Sequence, residues 1–376
     1  MAVEIGFELP YTQWDWKVGF YIAMIGIASG AYLMGYVADV RSRRGERDHG
    51  RVAKWGYLTG LVGIGVGGPV LLSHLATPFR AMLVPLIMTN FGSWMAIGPY
   101  LLGPLALGAL LMFVWVAFGR DRPHGPSVTT ESEGVAADGG RDVSSDGGTD
   151  SDPARAATGG QAGGIRRIFN RAGILDHLDA LADRTRPTET VRLGVGALFG
   201  IFAAGVLIYS AMAYGTGMTD RVPLWDKTFL IPVQVLSGLG AGLAVAVGLA
   251  TLEDRAVGRT MQEYALTASG LLVATLVAVL ATVALLPGQV PAAEPAVDNM
   301  LSTYATLFVG GAVLVGLVVP ILLLAGGALG QRRGALGQRG AATAFVAAGV
   351  LVIVGKITLA LTYLLAAEFT PLPLPM

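Results

Sequence analysis

Eight long apolar stretches, separated by polar segments, dominate the hydrophobic pattern of this 376-residue chain. Each stretch holds about 20 to 26 residues, enough for an α-helix rising about 1.5 Å per residue to cross a hydrocarbon core of about 30 Å. The alternating short segments of a membrane β-barrel are not seen in the sequence. The pattern predicts an all-α integral membrane protein with about eight transmembrane helices, near residues 18–40, 55–75, 94–118, 193–214, 229–252, 264–286, 304–328 and 341–366.

The distribution of positive charge predicts how these helices are oriented. Cytoplasmic loops of membrane proteins carry an excess of Lys and Arg. Of the 26 such residues, 21 fall in segments 41–54, 119–192, 253–263 and 329–340. The opposite loops hold only four. We therefore expect those four segments to be cytoplasmic, and both the N and C termini to lie outside.

A polar segment at 127–164 interrupts the chain between the third and fourth apolar stretches. It is rich in Gly, Ser, Asp and Ala, with almost no large apolar residue, so it cannot bury enough surface to fold. Residues 165–181 then show the pattern of an amphipathic helix on the inner membrane surface. We expect transmembrane helices 1–3 in 1–126, a disordered acidic, Gly-rich cytoplasmic linker with the amphipathic helix in 127–190, and helices 4–8 in 191–376. Packing favours two four-helix bundles.

Two similar glycine motifs occur on the first and fifth predicted helices, GIASG at 26–30 and GLGAG at 238–242. Small residues spaced four apart let membrane helices approach closely. The motifs therefore predict close helix packing, and a duplicated four-helix unit is the alternative interpretation.

The composition excludes several classes of function. Only 14% of the residues are charged, against about 25% in soluble domains, and the net charge of zero gives no electrostatic case for binding nucleic acid. The absence of cysteine excludes disulfides and Cys-ligated zinc or iron–sulfur clusters. Of four histidines only His74 adjoins an apolar stretch, too few for two axial haem ligands within the membrane. We expect no haem, iron–sulfur cluster or other metal in this chain.

Polar and aromatic side chains collect at one level, near the predicted outer ends of the first four helices. A quinone ring needs hydrogen bonds to two carbonyl oxygens, flat apolar walls and a route for protons to water. Taken singly, the aromatics equally fit an interfacial belt, the histidine a helix end, and the arginine a contact with lipid phosphates. The candidate quinone-binding residues are Trp16, Tyr21, His74, Trp94 and Tyr209, and the candidate proton-route residues are Asp15, Lys17, Arg80 and Lys356.

Lys356 is unusual because it lies about midway along the eighth apolar stretch. An unpaired ammonium at that depth costs several kcal/mol, so it must pair, extend to the interface or lie in a wet cavity. Gln234 on the fifth helix lies at a comparable depth and is a candidate partner. A proton-route or ligand role and a purely structural role both remain open.

These residues also carry a family resemblance. The ordered motifs are WDWK at 14–17, GIASGAYL at 26–33, HLATPFR at 74–80, NFGSWMAIG at 90–98, LIYS at 207–210, PLW at 223–225 and SGLGAG at 237–242. Together they resemble the NrfD/PsrC family of haem-free membrane subunits of polysulfide reductase-like molybdoenzyme complexes. The match covers the first five helices, and the last three agree mainly in number and hydropathy.

The resemblance implies a membrane anchor that exchanges electrons between menaquinone or another quinone and a ferredoxin-like iron–sulfur subunit on the outer face. That subunit passes them to a molybdopterin catalytic subunit. The family's fourth-helix tyrosine corresponds to Tyr209. Some members carry an Asn and a His on the first helix where this chain has Val18 and Tyr21, so only Tyr21 keeps a hydrogen-bonding group there.

Two other functions are compatible with the sequence. Eight helices, a possible internal repeat and a membrane-embedded lysine also fit a secondary transporter. A structural anchor that tethers catalytic subunits without binding quinone is the third interpretation. The leading prediction is a quinone-binding subunit of an oxidoreductase in the cell membrane, with no complete catalytic centre of its own.

Overall fold

The computed structural model describes residues 15–42, 47–74, 83, 91, 94–118, 175–214, 222–253 and 257–368. Eight helices within these ranges are long and apolar enough to cross a membrane, which confirms the predicted all-α membrane fold. They are α1 Trp16–Ser42, α2 Arg47–His74, α3 Trp94–Ala117, α4 Glu189–Met212, α5 Lys227–Glu253, α6 Arg259–Gln289, α7 Thr306–Arg332 and α8 Gln338–Leu365. The first part of α7, Thr306–Val318, is a π-helix that continues into the α-helix Val319–Arg332.

Several helices extend beyond the apolar stretches that predicted them. The clearest case is α2, which begins at Arg47 rather than near residue 55. Its first turns are polar but remain helical, and Asp48 pairs there with Arg51, one helical turn later. Hydropathy locates the part of a helix that lies in lipid, whereas the backbone hydrogen bonds continue into the polar ends.

The described residues between α3 and α4 include the helix Leu175–Thr185, which contains both apolar and charged residues and belongs to a unit separate from the eight spanning helices. The predicted linker 127–164, and the first part of the predicted amphipathic helix, lie outside the described residues.

The eight spanning helices form two four-helix bundles, as the sequence predicted. In the first bundle α1, α2, α3 and α4 pack as a closed ring, and in the second α5, α6, α7 and α8 do the same. The most apolar windows of α1 and α5 are 78% and 72% buried, against 33–44% for the other six helices. These two helices therefore form the centre, where the bundles meet.

Glycines join α1 to α5 at this centre. A Cβ atom on Gly30 would overlap the backbone of Gly238, and one on Gly242 would overlap the backbone of Ala31. A Cβ on Gly238 would lie 2.9 Å from the carbonyl oxygen of Gly26. The two glycine motifs thus pack against each other, which confirms the close-packing interpretation. The duplication stays a prediction.

Contacts at both ends show that α5 runs antiparallel to α2 and to α8. At one end, Lys54 and Trp55 of α2 bind Glu253 of α5 at 2.5 and 2.8 Å. At the other, the Trp225 indole donates to the Tyr363 carbonyl at 2.8 Å. We call the end with the Trp225–Tyr363 contact the Trp16 end, because α1 begins there. The end with the Lys54–Glu253 contact is called the Arg41 end. The assignment of the Trp16 end to the outer face remains a prediction from charge.

Candidate functional site

Two buried tyrosines meet inside the first bundle near the Trp16 end. The side chains of Tyr21 on α1 and Tyr209 on α4 lie close enough to interact with each other. The residues are only 3% and 6% exposed. We call them the tyrosine pair, and they place two hydroxyls in the interior of the first bundle near the Trp16 end.

A glycine on α3 makes room for the Tyr209 ring, and a glycine on α2 lies beside the Tyr21 ring. A Cβ on Gly98 of α3 would lie 2.5 Å from both Cζ and the hydroxyl oxygen of Tyr209. A Cβ on Gly67 of α2 would lie 3.7 Å from Cδ2 of Tyr21. All four helices of the first bundle therefore shape the surroundings of the tyrosine pair.

The other predicted quinone-binding residues lie apart from this pair or outside the described residues. Trp16 is 59% exposed, and its ring packs edge-on against Phe20 at 6.5 Å. Trp94 is the first residue of α3 and is half-buried. His74 ends α2, but its side chain lies outside the described residues, as does all of Arg80. The structure thus brings together Tyr21 and Tyr209 from the predicted set.

Asp15 and Lys17 lie at the start of α1, at the edge of the Trp16 end. The Asp15 carboxylate accepts a hydrogen bond from the Lys17 backbone N–H at 2.8 Å, as a helix N-cap does. It also lies 3.9 Å from the Lys17 ammonium, and the two side chains are 33% and 30% exposed. Both groups therefore reach water, about 6 to 9 Å along α1 from Tyr21.

Lys356 lies deeper, between the two bundles. It is 3% exposed, and its Nζ donates to Gln234 Oε1 and Ser237 Oγ at 2.5 Å each, which confirms Gln234 as a partner. Within the described ranges no carboxylate pairs with this ammonium. Both of these hydrogen-bond partners belong to α5, and the predicted proton-route role of Lys356 stays a prediction.

A set of hydrogen bonds that sequence analysis did not identify ties the end of α4 to the second bundle. Gln234 Nε2 donates to the Tyr214 hydroxyl at 3.3 Å, and that hydroxyl donates to the Ala360 carbonyl at 3.2 Å. The Tyr214 ring also lies 5.9 Å from the Trp225 ring. These contacts fix the Gln234 amide that holds Lys356.

A buried ion pair at the Arg41 end was also missed. Arg192 donates to Asp39 Oδ2 at 2.7 Å, and the Tyr57 hydroxyl donates to the same oxygen at 3.1 Å. The residues are 6%, 2% and 0% exposed, respectively. A signal was present, because Asp39 is the only acidic residue within the eight predicted apolar stretches. An ionisable group inside a membrane helix is by default a candidate for function.

Across the described parts of the chain, no three His, Asp or Glu side chains come together in a way that could hold a metal ion.

Two apolar four-helix bundles, with a buried tyrosine pair inside one of them, define a multi-pass membrane protein with an enclosed polar site. The profile of the family described as "Polysulphide reductase, NrfD" matches residues 7–360, and the chain belongs to this family. The match extends through α6 and α7 and into α8, beyond the helices whose motifs carried the resemblance. Members are membrane subunits of molybdoenzyme complexes and are generally linked to quinones. No curated protein sequence matches the chain.

Proposed function

We propose that this protein is the quinone-binding membrane subunit of a multisubunit oxidoreductase. It would exchange electrons between the quinone pool and an iron–sulfur subunit of a molybdopterin enzyme on the outer face. The observation that carries this proposal is the tyrosine pair, two buried hydroxyls within a bundle of the NrfD family.

The tyrosine pair fits the polar edge of a quinone ring. Each hydroxyl can donate one hydrogen bond and accept others, and the two side chains are neighbours in the bundle. A ring carbonyl oxygen that accepts from either tyrosine would satisfy a buried hydroxyl. The apolar bundle excludes water from the ring, and the quinone itself supplies the electron chemistry when bound. Trp94, His74 and, at the rim, Trp16 are proposed to complete the site.

Protons released on quinol oxidation need an exit. We propose that Asp15 and Lys17, with Arg80, pass them to water at the Trp16 end. The proposal is supported by the partial exposure of the Asp15 and Lys17 side chains and by their position on the same helix as Tyr21.

Removing either hydroxyl of the tyrosine pair should impair quinol turnover. We expect Tyr209→Phe and Tyr21→Phe each to lower quinol-dependent activity of the assembled complex up to about tenfold, since each variant loses one proposed hydrogen bond to the quinone, and such a bond contributes about 0.5–1.5 kcal/mol. Tyr304→Phe, in the turn just before α7, is the control. Activity is measured with a soluble quinol, and assembly by copurification of the iron–sulfur subunit. Unchanged turnover in both variants would refute the site.

A methyl group at Gly98 should disturb the site without removing either hydroxyl of the tyrosine pair. Gly98→Ala places Cβ 2.5 Å from the Tyr209 ring and hydroxyl oxygen, so the ring must move. We expect the KM for quinol to rise several-fold. Gly103→Ala on the same helix is the matched control, because its Cβ meets nothing within 4 Å. Equal KM values in the two variants would contradict the placement of the site at Tyr209.

Three measurements separate this function from its alternatives. Copurification with an iron–sulfur subunit argues against a secondary transporter, and solute uptake by proteoliposomes containing the chain alone argues for one. Inhibition by a quinol analogue then distinguishes a quinone-binding subunit from an inert tether.

A further inference from the structure

A buried ammonium group lies deeper along α1 than the tyrosine pair. We propose that Lys356 is the fixed counter-charge of the quinone site, and that its ammonium stabilises negative charge on the ring oxygens of the bound ligand. This inference rests on the proposed quinone function and adds a specific electrostatic role to the second bundle, whose residues otherwise do not contact the site.

The ammonium reaches the first bundle although Lys356 belongs to α8. Its Cε and Nζ lie 3.2 and 3.6 Å from the position of a Cβ on Gly26 of α1. The hydroxyl of Ser210, the neighbour of Tyr209 on α4, lies 4.0 Å from the same point. Because Gly26 follows Tyr21 by five residues, the ammonium lies about 8 Å deeper than Tyr21 along α1. The absence of a side chain at Gly26 is what permits this approach.

The partners of Lys356 solvate its charge without cancelling it. Gln234 and Ser237 each offer a neutral oxygen to the ammonium at 2.5 Å. A cavity of about 10 Å³, lined in part by Ser237, Gly316 and Gly355, borders the side chain and has the size of about one water. Since no carboxylate in the described ranges pairs with Lys356, its field is available to a negative group within the first bundle.

The expected effect of the Lys356 ammonium on ligand binding follows from its distance to the ligand and from the dielectric constant of the protein between them. At about 10 Å and an effective dielectric constant of about 20, the attraction between two unit charges changes a binding constant by about tenfold. An exposed charge at similar range is screened by water and salt and contributes far less. The effect must therefore depend on the charge of the ligand, which distinguishes it from a packing role for Lys356.

Two related ligands test this prediction on the purified complex. One is a hydroxynaphthoquinone whose hydroxyl is ionised at neutral pH, and the other is the same naphthoquinone without that hydroxyl. Binding of each is measured directly, in the absence of turnover, to the wild-type protein, Lys356→Met and Lys356→Gln. Lys227→Met removes an exposed charge at the start of α5 and is the matched control.

Removal of the ammonium should weaken the anionic ligand about tenfold and the neutral ligand less than twofold, in both Lys356 variants. Lys227→Met should change neither. Gly26→Ala keeps the ammonium but displaces it. It should therefore weaken binding of the anionic ligand by less than the Lys356 variants do, and still affect that ligand more than the neutral one. This variant tests the proposal if the Lys356 variants do not assemble. Equal changes for both ligands, or none, would overturn the counter-charge. Failure of the wild type to bind either ligand would instead refute the proposed function.

Discussion

Replacement of Arg192 by leucine should destabilise the protein by about 3–5 kcal/mol, because it leaves the Asp39 carboxylate charged and without its partner. Asp39 is 2% exposed and accepts from Arg192 and Tyr57 on two other helices of the first bundle. After the substitution the Tyr57 hydroxyl still donates to Asp39 and Arg186 still contributes a positive charge, but these do not replace the direct guanidinium contact. The change in the thermal midpoint of the protein in detergent measures this loss.

The double variant Asp39→Leu/Arg192→Leu should recover most of that stability. Removing both members of a buried ion pair leaves no unpaired charge, and well-packed apolar replacements are often neutral. Arg259→Leu is the surface control, since its pair with Glu263 has side chains 88% and 55% exposed and contributes little. If Arg192→Leu were as mild as Arg259→Leu, the ion pair would not be an important element of the first bundle.

Hydropathy and charge predicted the eight helices because lipid places two requirements on a spanning segment. The segment must be long enough to cross the hydrocarbon core, and it must contain few charged residues. Because of the same constraint, the sequence does not show which face of each helix points to lipid and which points to the protein interior. Both the lipid-facing and the buried faces are apolar, so the pattern of α3 or α5 does not distinguish them. For this reason Trp16 was predicted at the right level on α1 but proved to be largely exposed.

Contacts between buried polar residues could be predicted only where the depth of each residue in the membrane was enough to identify its partner. Lys356 and Gln234 were the deep polar residues of α8 and α5, and they do pair. Tyr21 and Tyr209 were placed at one level and proved to be in contact. The Asp39–Arg192 pair was not predicted, because Arg192 precedes an apolar stretch and was counted among the charges of a loop. In the structure it lies in the first turn of α4 and is buried.

Replacement of Gly30 by valine should prevent the two bundles from joining and should yield little folded protein. A Cβ there would overlap the backbone of Gly238 and Leu239 on α5. A flexible side chain could move aside, but these neighbours are main-chain atoms, so α1 and α5 must separate along their crossing. Overpacking against adaptable side chains costs about 1–3 kcal/mol, and an overlap with backbone must exceed that range.

The separation of α1 from α5 would also withdraw Lys356 from the first bundle, because the ammonium is held by Gln234 and Ser237 of α5. The yield of monodisperse protein on size exclusion and its thermal midpoint measure the folding defect. Gly270→Val on α6 is the matched control, since a Cβ there meets nothing within 4 Å. We expect that variant to fold as the wild type does. A Gly30→Val protein with wild-type yield and midpoint would show that the glycine crossing is not what joins the bundles.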